Sequence, residues 1–136
     1  KNVAFLTLGD ATVYSTCLYV YDRVRDAGER TEIISGVPSF CAAAARLNRA
    51  LVSGSSELHI LPATYQIEEG IHLPGVKVLM KSGKRLGEVK ELLIREKKQV
   101  LGIQRCGMEG ETIYRSAEEI DQQAGYYSLF IVEDKE

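Results

Sequence analysis

The sequence has no tryptophan, three prolines, three cysteines, two histidines and two methionines, and each scarcity excludes something. Cys17, Cys41 and Cys106 are odd in number, far apart and without a C-x-x-C pair. That spacing excludes a disulfide framework and a thiolate zinc site, and it suits reduced thiols in a cytoplasmic protein. His59 and His72 stand apart with no H-E-x-x-H, so they read as satisfied or exposed side chains and no metal is expected. No apolar run approaches the ~20 residues of a membrane span. The opening is apolar from the third residue and unlike a secretory leader, so no signal segment is expected. A formal net charge of −2 gives no cause to expect nucleic acid or an anionic membrane as partner. The G-x-S-x-G and G-x-G-x-x-G patterns are missing, which removes support for an esterase-type nucleophile and for an ordinary dinucleotide fold. Ser82-Gly83-Lys84 resembles a phosphate loop only superficially, because the full G-x-x-x-x-G-K-[ST] spacing is absent.

What remains is a composition 45% hydrophobic and 26% charged, that of a soluble globular domain able to bury a core. The stretch that organises it is Val3 to Thr16. Val3-Ala4-Phe5-Leu6-Thr7-Leu8 is a continuous apolar run, the pattern of a strand buried on both faces. Gly9-Asp10 breaks the run. Val13, Cys17, Val20 and Val24 then recur at i, i+4, i+7 and i+11, which predicts a helix from about Thr12 to Ala27 with Gly28 just past its end. A core strand at the very opening lacks neighbours, so the chain is expected to be a piece of a longer protein.

A second unit of the same kind follows. Thr31 to Ser35 is β-branched, Gly36 breaks it, and Pro38 suits the first turn of a helix carrying Ser39-Phe40-Cys41 and four alanines. Turns that lead from a strand into a helix lie at the carboxyl edge of an α/β sheet, where ligands bind. Two of them side by side, at Gly9-Asp10 and Gly36-Ser39, would form a crevice offering two sets of free N–H groups. A plain turn with an N-cap is equally compatible with the spacing. Strands are expected at 57–62, 76–81, 100–103 and 126–132, with an irregular connection over 63–75. A helix over 84–97 should bury Leu86, Val89, Leu92 and Leu93. A short extended piece is expected at 112–115. Ser116-Ala117-Glu118-Glu119 fits a capping box for a brief helix.

Several segments carry a family resemblance. Gly9-Asp10-Ala11-Thr12-Val13-Tyr14-Ser15-Thr16 resembles the GDPTVYST motif of the precorrin-2 and cobalt-precorrin-2 carbon-20 methyltransferases, within the tetrapyrrole methylase family. Ile34 to Ala44, Leu61 to Tyr65, Val78 to Lys81, Arg105 to Glu111 and Ile113 to Ser116 are similar to further motifs of that family, in the same order. The resemblance spans nearly the whole chain. It implies the α/β tetrapyrrole methylase fold, with residues 1–35 ending a first, cofactor-cleft domain and residues 36–136 forming a second α/β domain on a mixed sheet. It implies S-adenosyl-L-methionine as cofactor, a tetrapyrrole (precorrin-2 or cobalt-precorrin-2) as substrate, methylation at carbon 20, and a homodimer.

Carried over by position, the resemblance puts cofactor contacts at Gly9, Asp10, Val13, Pro38, Ser39, Met80 and Cys106. Asp10 and Tyr14 are candidates for a catalytic base by location alone. Two departures matter. Ala11 stands where the family has proline, and Gln104-Arg105 replaces a common Glu-Asn beside Cys106. Two other readings stand beside this one: a non-catalytic dimerisation module, and a sister methylase acting at another ring carbon.

Overall fold

A computed structural model describes residues 1–64 and 67–135. Contacts divide the chain into two compact units, Lys1–Ala42 and Ala43–Glu136.

In the first unit, α1 spans Cys17–Asp26. It ends as its sequence dictates: the Gly28 N–H donates to the Arg25 carbonyl (2.9 Å) and the Glu29 N–H to the Val24 carbonyl (3.3 Å). That paired closure satisfies carbonyls the helix end would leave open. The start is later than the apolar spacing predicts. Tyr14 has φ +50°, a left-handed conformation that a right-handed helix cannot include, so Ala11 to Thr16 form turns instead. The two strands expected over 3–8 and 31–35 are not formed. A strand needs a hydrogen-bonding neighbour, and no ladder among the described residues includes either segment. Their side chains stay exposed, Val3 at 91% and Leu6 at 89%. α2, Ser39–Arg46, starts in this unit and ends in the second, where Arg46 lies; it begins one residue later than expected, and the Pro38 carbonyl takes its first bonds, from the N–H groups of Cys41 (3.0 Å) and Ala42 (3.1 Å).

The second unit is built on a five-stranded mixed sheet. Its strands are β1 (Leu58–Pro62), β2 (Val76–Met80), β3 (Gln99–Gln104), β4 (Thr112–Tyr114) and β5 (Ser128–Glu133), in the order β1-β2-β5-β3-β4. β1 and β2 are parallel and every other pair is antiparallel. Between β1 and β2 the connection carries one short helix, α3 (Ile67–Gly70), where the sequence predicts an irregular stretch. α4, Leu86–Arg95, follows a 3-10 turn at Gly83–Arg85 and buries Leu86, Val89, Leu92 and Leu93, the four positions its period selects. These pack with Leu79, Phe130, Val132, Val100 and Tyr114 from one face of the sheet, and with Ile71, Ala117 and Ile120 from the connections. Ser116 to Glu119 form turns instead of the expected helix: the Glu119 carboxylate accepts from the Arg115 N–H (2.7 Å), so it closes a loop without opening a helical turn.

Strand register explains two residues that look out of place in the core. Leu79, Phe130, Gly102 and Tyr114 lie in one row across β2, β5, β3 and β4. Gly102 has no side chain because the neighbouring rings occupy its space: a Cβ there would lie 2.6 Å from Phe130 Cδ1 and 3.2 Å from Tyr114 Cδ2. Gly102→Ala is therefore expected to destabilise the sheet by about 1–3 kcal/mol, the usual cost of overfilling a packed core. A lowered thermal midpoint checks this, and an unchanged midpoint would contradict it. Lys77, wholly buried, sends its Nζ to the Leu73 carbonyl (3.0 Å) and to Asp134 (3.3 Å), so its charge is paired where the sheet ends.

Candidate functional site

The two breaks the sequence marks, at Gly9-Asp10 and at Gly36, meet directly within the first unit. Asp10 is only 8% exposed, and its carboxylate joins them. Oδ1 accepts from the Thr12 N–H (2.8 Å) and, closer still, from the Thr12 hydroxyl. Oδ2 accepts from the Ser35 hydroxyl (2.9 Å) and from the Gly36 N–H (2.9 Å). Four donors converge on one carboxylate, an arrangement that favours the charged form. The Thr12 hydroxyl, then the Thr12 and Gly36 N–H groups, hold the Asp10 carboxyl well below the usual carboxylate range.

The backbones touch as closely as the side chain suggests. A Cβ on Gly36 would stand 2.1 Å from the Gly9 carbonyl oxygen and 3.1 Å from its carbon. Gly9 itself has φ +78°, a conformation glycine adopts at no steric cost. Both glycines are thus required by geometry, one for its dihedral and one for the approach. Beyond this bracket the chain enters α2, whose first N–H groups, at Ser39 and Phe40, have no carbonyl one turn back to bond. Ser39 is exposed and Pro38 half-buried. Val13 lies in the turn after Asp10, half-buried, its N–H donating to the Asp10 carbonyl (3.4 Å).

Of the two candidate bases, Asp10 has both oxygens engaged and a depressed pKa, so its side chain acts as a strut between turns and is unsuited to taking up a proton. Tyr14 sits half-exposed at its left-handed position.

Met80 and Cys106 belong to the second unit. Met80 is half-buried at the end of β2, and its carbonyl accepts from the Ala63 N–H (2.7 Å). Two residues on, the Ser82 hydroxyl is buried without a hydrogen-bond partner among the described residues. Cys106 is half-buried where β3 gives way to the loop ending at Glu111. Burial, then the neighbouring Glu111 charge, pushes its thiol up from the ordinary value. A neutral thiol there suits contact with a ligand and does not suit nucleophilic attack. Sequence reasoning missed Ser35, Thr12, Arg46 and Glu111. The first two are ordinary turn residues, and nothing in their local pattern says they converge on Asp10. Tyr65, part of the resemblance, lies outside the described residues.

Two carboxylates, one in each unit, set a pH dependence. Asp10 and Glu111 are both lowered, from ordinary values of 3.8 and 4.5. The stability each contributes is fully present above its ordinary value, and is lost as pH falls through the lower folded one. The Gly36 and Gly107 amide resonances, which report these two acceptors, should therefore hold their positions as pH falls past 3.8 and 4.5. Midpoints at those ordinary values would contradict the bracket.

Comparison with known proteins bears on the family and the fold. Residues 1–121 match the family model described as Tetrapyrrole (Corrin/Porphyrin) Methylases. The chain is 34% identical over 135 residues to the probable cobalt-precorrin-2 C(20)-methyltransferase of Methanocaldococcus jannaschii, covering 96% of this chain and 58% of that protein. It is 31% identical over 144 residues to the cobalt-precorrin-2 C(20)-methyltransferase of Salmonella typhimurium, covering 97% of this chain and 58% of that protein. The chain thus spans somewhat under three-fifths of the length of these relatives. Among solved structures, a cobalt precorrin-4 methyltransferase shares the fold at TM-score 0.72 and 17% identity, over 92% of this chain and 61% of that one. A uroporphyrin-III C-methyltransferase from Thermus thermophilus, solved with S-adenosylhomocysteine, does so at TM-score 0.70 and 16% identity, over 92% and 62%. With most of its length matched by the family model, the chain belongs to the tetrapyrrole (corrin/porphyrin) methylases.

Proposed function

We propose that these residues form part of an S-adenosyl-L-methionine-dependent C-methyltransferase of cobalamin biosynthesis, acting at carbon 20 of precorrin-2 or cobalt-precorrin-2. The observation that carries the reading is the Asp10 bracket, which holds two turns together beside the open start of α2. The motif residues of the family fall on those turns, and two relatives that cover nearly all of this chain carry carbon-20 names. Gly9, Asp10, Val13, Pro38 and Ser39 are assigned to the cofactor, with Met80 and Cys106 assigned to the same ligand. Most of these contacts use the backbone, so the Ala11 departure is tolerable: alanine keeps the turn and adds an N–H where proline has none.

The donors present fit such a ligand. Free N–H groups at the start of α2 suit its oxygens; separately, in the second unit, the Ser82 hydroxyl is buried and without a partner among the described residues. The bound cofactor supplies a methyl group already activated by its sulfonium. The protein's task is then alignment of the ring carbon with that methyl, and positioning carries most of the rate effect. Asp10 keeps the turns in register, and Cys106 remains a neutral thiol. Tyr14 is retained as the candidate base. The relatives are longer than this chain, so turnover is assigned to a protein of their full length, working as a homodimer in the cytoplasm.

Incubating that longer protein with precorrin-2 or its cobalt form and labelled cofactor, then reading the product by mass and carbon NMR, tests the assignment. A single new methyl at carbon 20 supports it. A methyl at another ring carbon favours a sister methylase, and failure to bind S-adenosylhomocysteine at all favours a dimerisation module.

A further inference from the structure

The loop after β3 is held from within and from α2. Arg105 takes φ +52° and its carbonyl accepts from the Met108 N–H (2.9 Å), which closes a tight turn around Cys106 and Gly107. Glu111 reaches back across that turn: its Oε2 accepts from the Gly107 N–H (2.7 Å). Both its oxygens also face Arg46 Nε, at 2.8 and 3.0 Å. Arg46 is the last residue of α2, and its side chain is 59% exposed while that of Glu111 is 15% exposed. An ion pair with one partner in water adds little to global stability. Its effect is local: it fixes the direction in which the Glu111 carboxylate presents itself to Gly107.

We propose that Arg46 and Glu111 are positioning residues that set the shape of the Cys106–Glu111 loop so that it receives the cofactor. The proposal rests on the cofactor reading above. Glu111 acts through the backbone N–H of Gly107, one residue from the assigned contact at Cys106, and Arg46 acts through Glu111. The hierarchy has a chemical consequence. Position 111 must be a charged acceptor with both oxygens available, while position 46 needs only to hold it still.

Four variants separate these roles: Arg46→Gln, Glu111→Gln, the two combined, and the exchange Arg46→Glu with Glu111→Arg. Two readouts are used. The Gly107 amide resonance is read without ligand, and S-adenosylhomocysteine affinity is read by calorimetry. Glu111→Gln should displace the Gly107 resonance and weaken binding roughly tenfold, as loss of a charge-assisted acceptor does. Arg46→Gln should do the same in smaller measure, and the combined variant should lose no more than Glu111→Gln alone. The exchange restores an ion pair but leaves no acceptor at 111, so it should not recover affinity.

Recovery in the exchange variant would mean that a pair of charges is all that matters, and it overturns the proposal. So does unchanged affinity in Glu111→Gln when its Gly107 resonance has moved. Should Glu111→Gln fail to fold, the exposed Arg46→Gln side chain carries the test by the same two readouts. If the longer protein with these residues unaltered binds no S-adenosylhomocysteine while its Gly107 resonance sits at the hydrogen-bonded position, the cofactor reading fails and takes the proposal with it. Binding by that unaltered longer protein with no loss in any variant overturns the positioning role alone.

Discussion

Gly36→Ala is expected to part the two turns and weaken S-adenosylhomocysteine binding by at least about tenfold, the lower half of the ~1–3 kcal/mol that forcing a methyl into filled space costs. The obstacle is backbone: the new Cβ would sit 2.1 Å from the Gly9 carbonyl oxygen. A flexible side chain could swing aside, whereas a peptide group fixed by the Asp10 bracket cannot move without breaking the Gly36 N–H to Asp10 bond of 2.9 Å. Faster hydrogen exchange at the Gly36 amide should accompany the lost affinity, because the same displacement causes both. Wild-type affinity in Gly36→Ala would mean that the close approach has no bearing on ligand binding.

The second large effect is expected at Asp10. Asparagine has nearly the shape of aspartate, yet it replaces one acceptor oxygen with a donor NH2. All four groups around Asp10 present hydrogens toward it, two to each oxygen. Whichever way the amide is turned, one backbone N–H, that of Thr12 or of Gly36, would then face a donor, while the hydroxyl beside it can rotate to accept. Losing the acceptor for Ser35 and Gly36 frees the second turn; losing that for Thr12 loosens the first. Asp10→Asn should therefore weaken binding roughly tenfold or more, since charge-assisted hydrogen bonds are about twice as strong as neutral ones and groups left unmatched add their own penalty. Asp10→Ala should be at least as damaging. The informative comparison is Asp10→Glu, which keeps the charge but overshoots the donors, and it should recover little. Full activity of a longer protein carrying Asp10→Asn would show that the carboxylate neither braces nor serves the site.

The sheet was legible from sequence because its residues answer to one another locally. The β5 core is an unbroken apolar run, that of β2 is interrupted only by Lys77, and α4 repeats its buried leucines and valine at helical spacing. The first unit was legible only in part. Its punctuation, Gly9 and Gly36, announced the turns, but Asp10 reaches a residue 26 positions away, and no local pattern encodes that contact. The apolar run at 3–8 and the β-branched one at 31–35 satisfied the composition of strands without finding partners among the described residues. α1 is shorter than its apolar spacing predicts because that spacing continues through Tyr14, whose left-handed backbone stops the helix before side-chain pattern can matter. Glu111 was hidden for a different reason. A carboxylate beside two glycines looks like solvent-facing loop, and only its reach to Gly107 and Arg46 gives it work to do.

Titrating the isotope-labelled chain with S-adenosylhomocysteine, and following the amides of Gly9, Asp10, Gly36, Ser39 and Phe40, bears on all of this at once. Saturable shifts at these five, sharing one dissociation constant and abolished by Asp10→Asn, are the expected result. Shifts that spare both turns, or that persist unchanged in Asp10→Asn, would contradict the idea that one braced carboxylate builds the place where the cofactor sits.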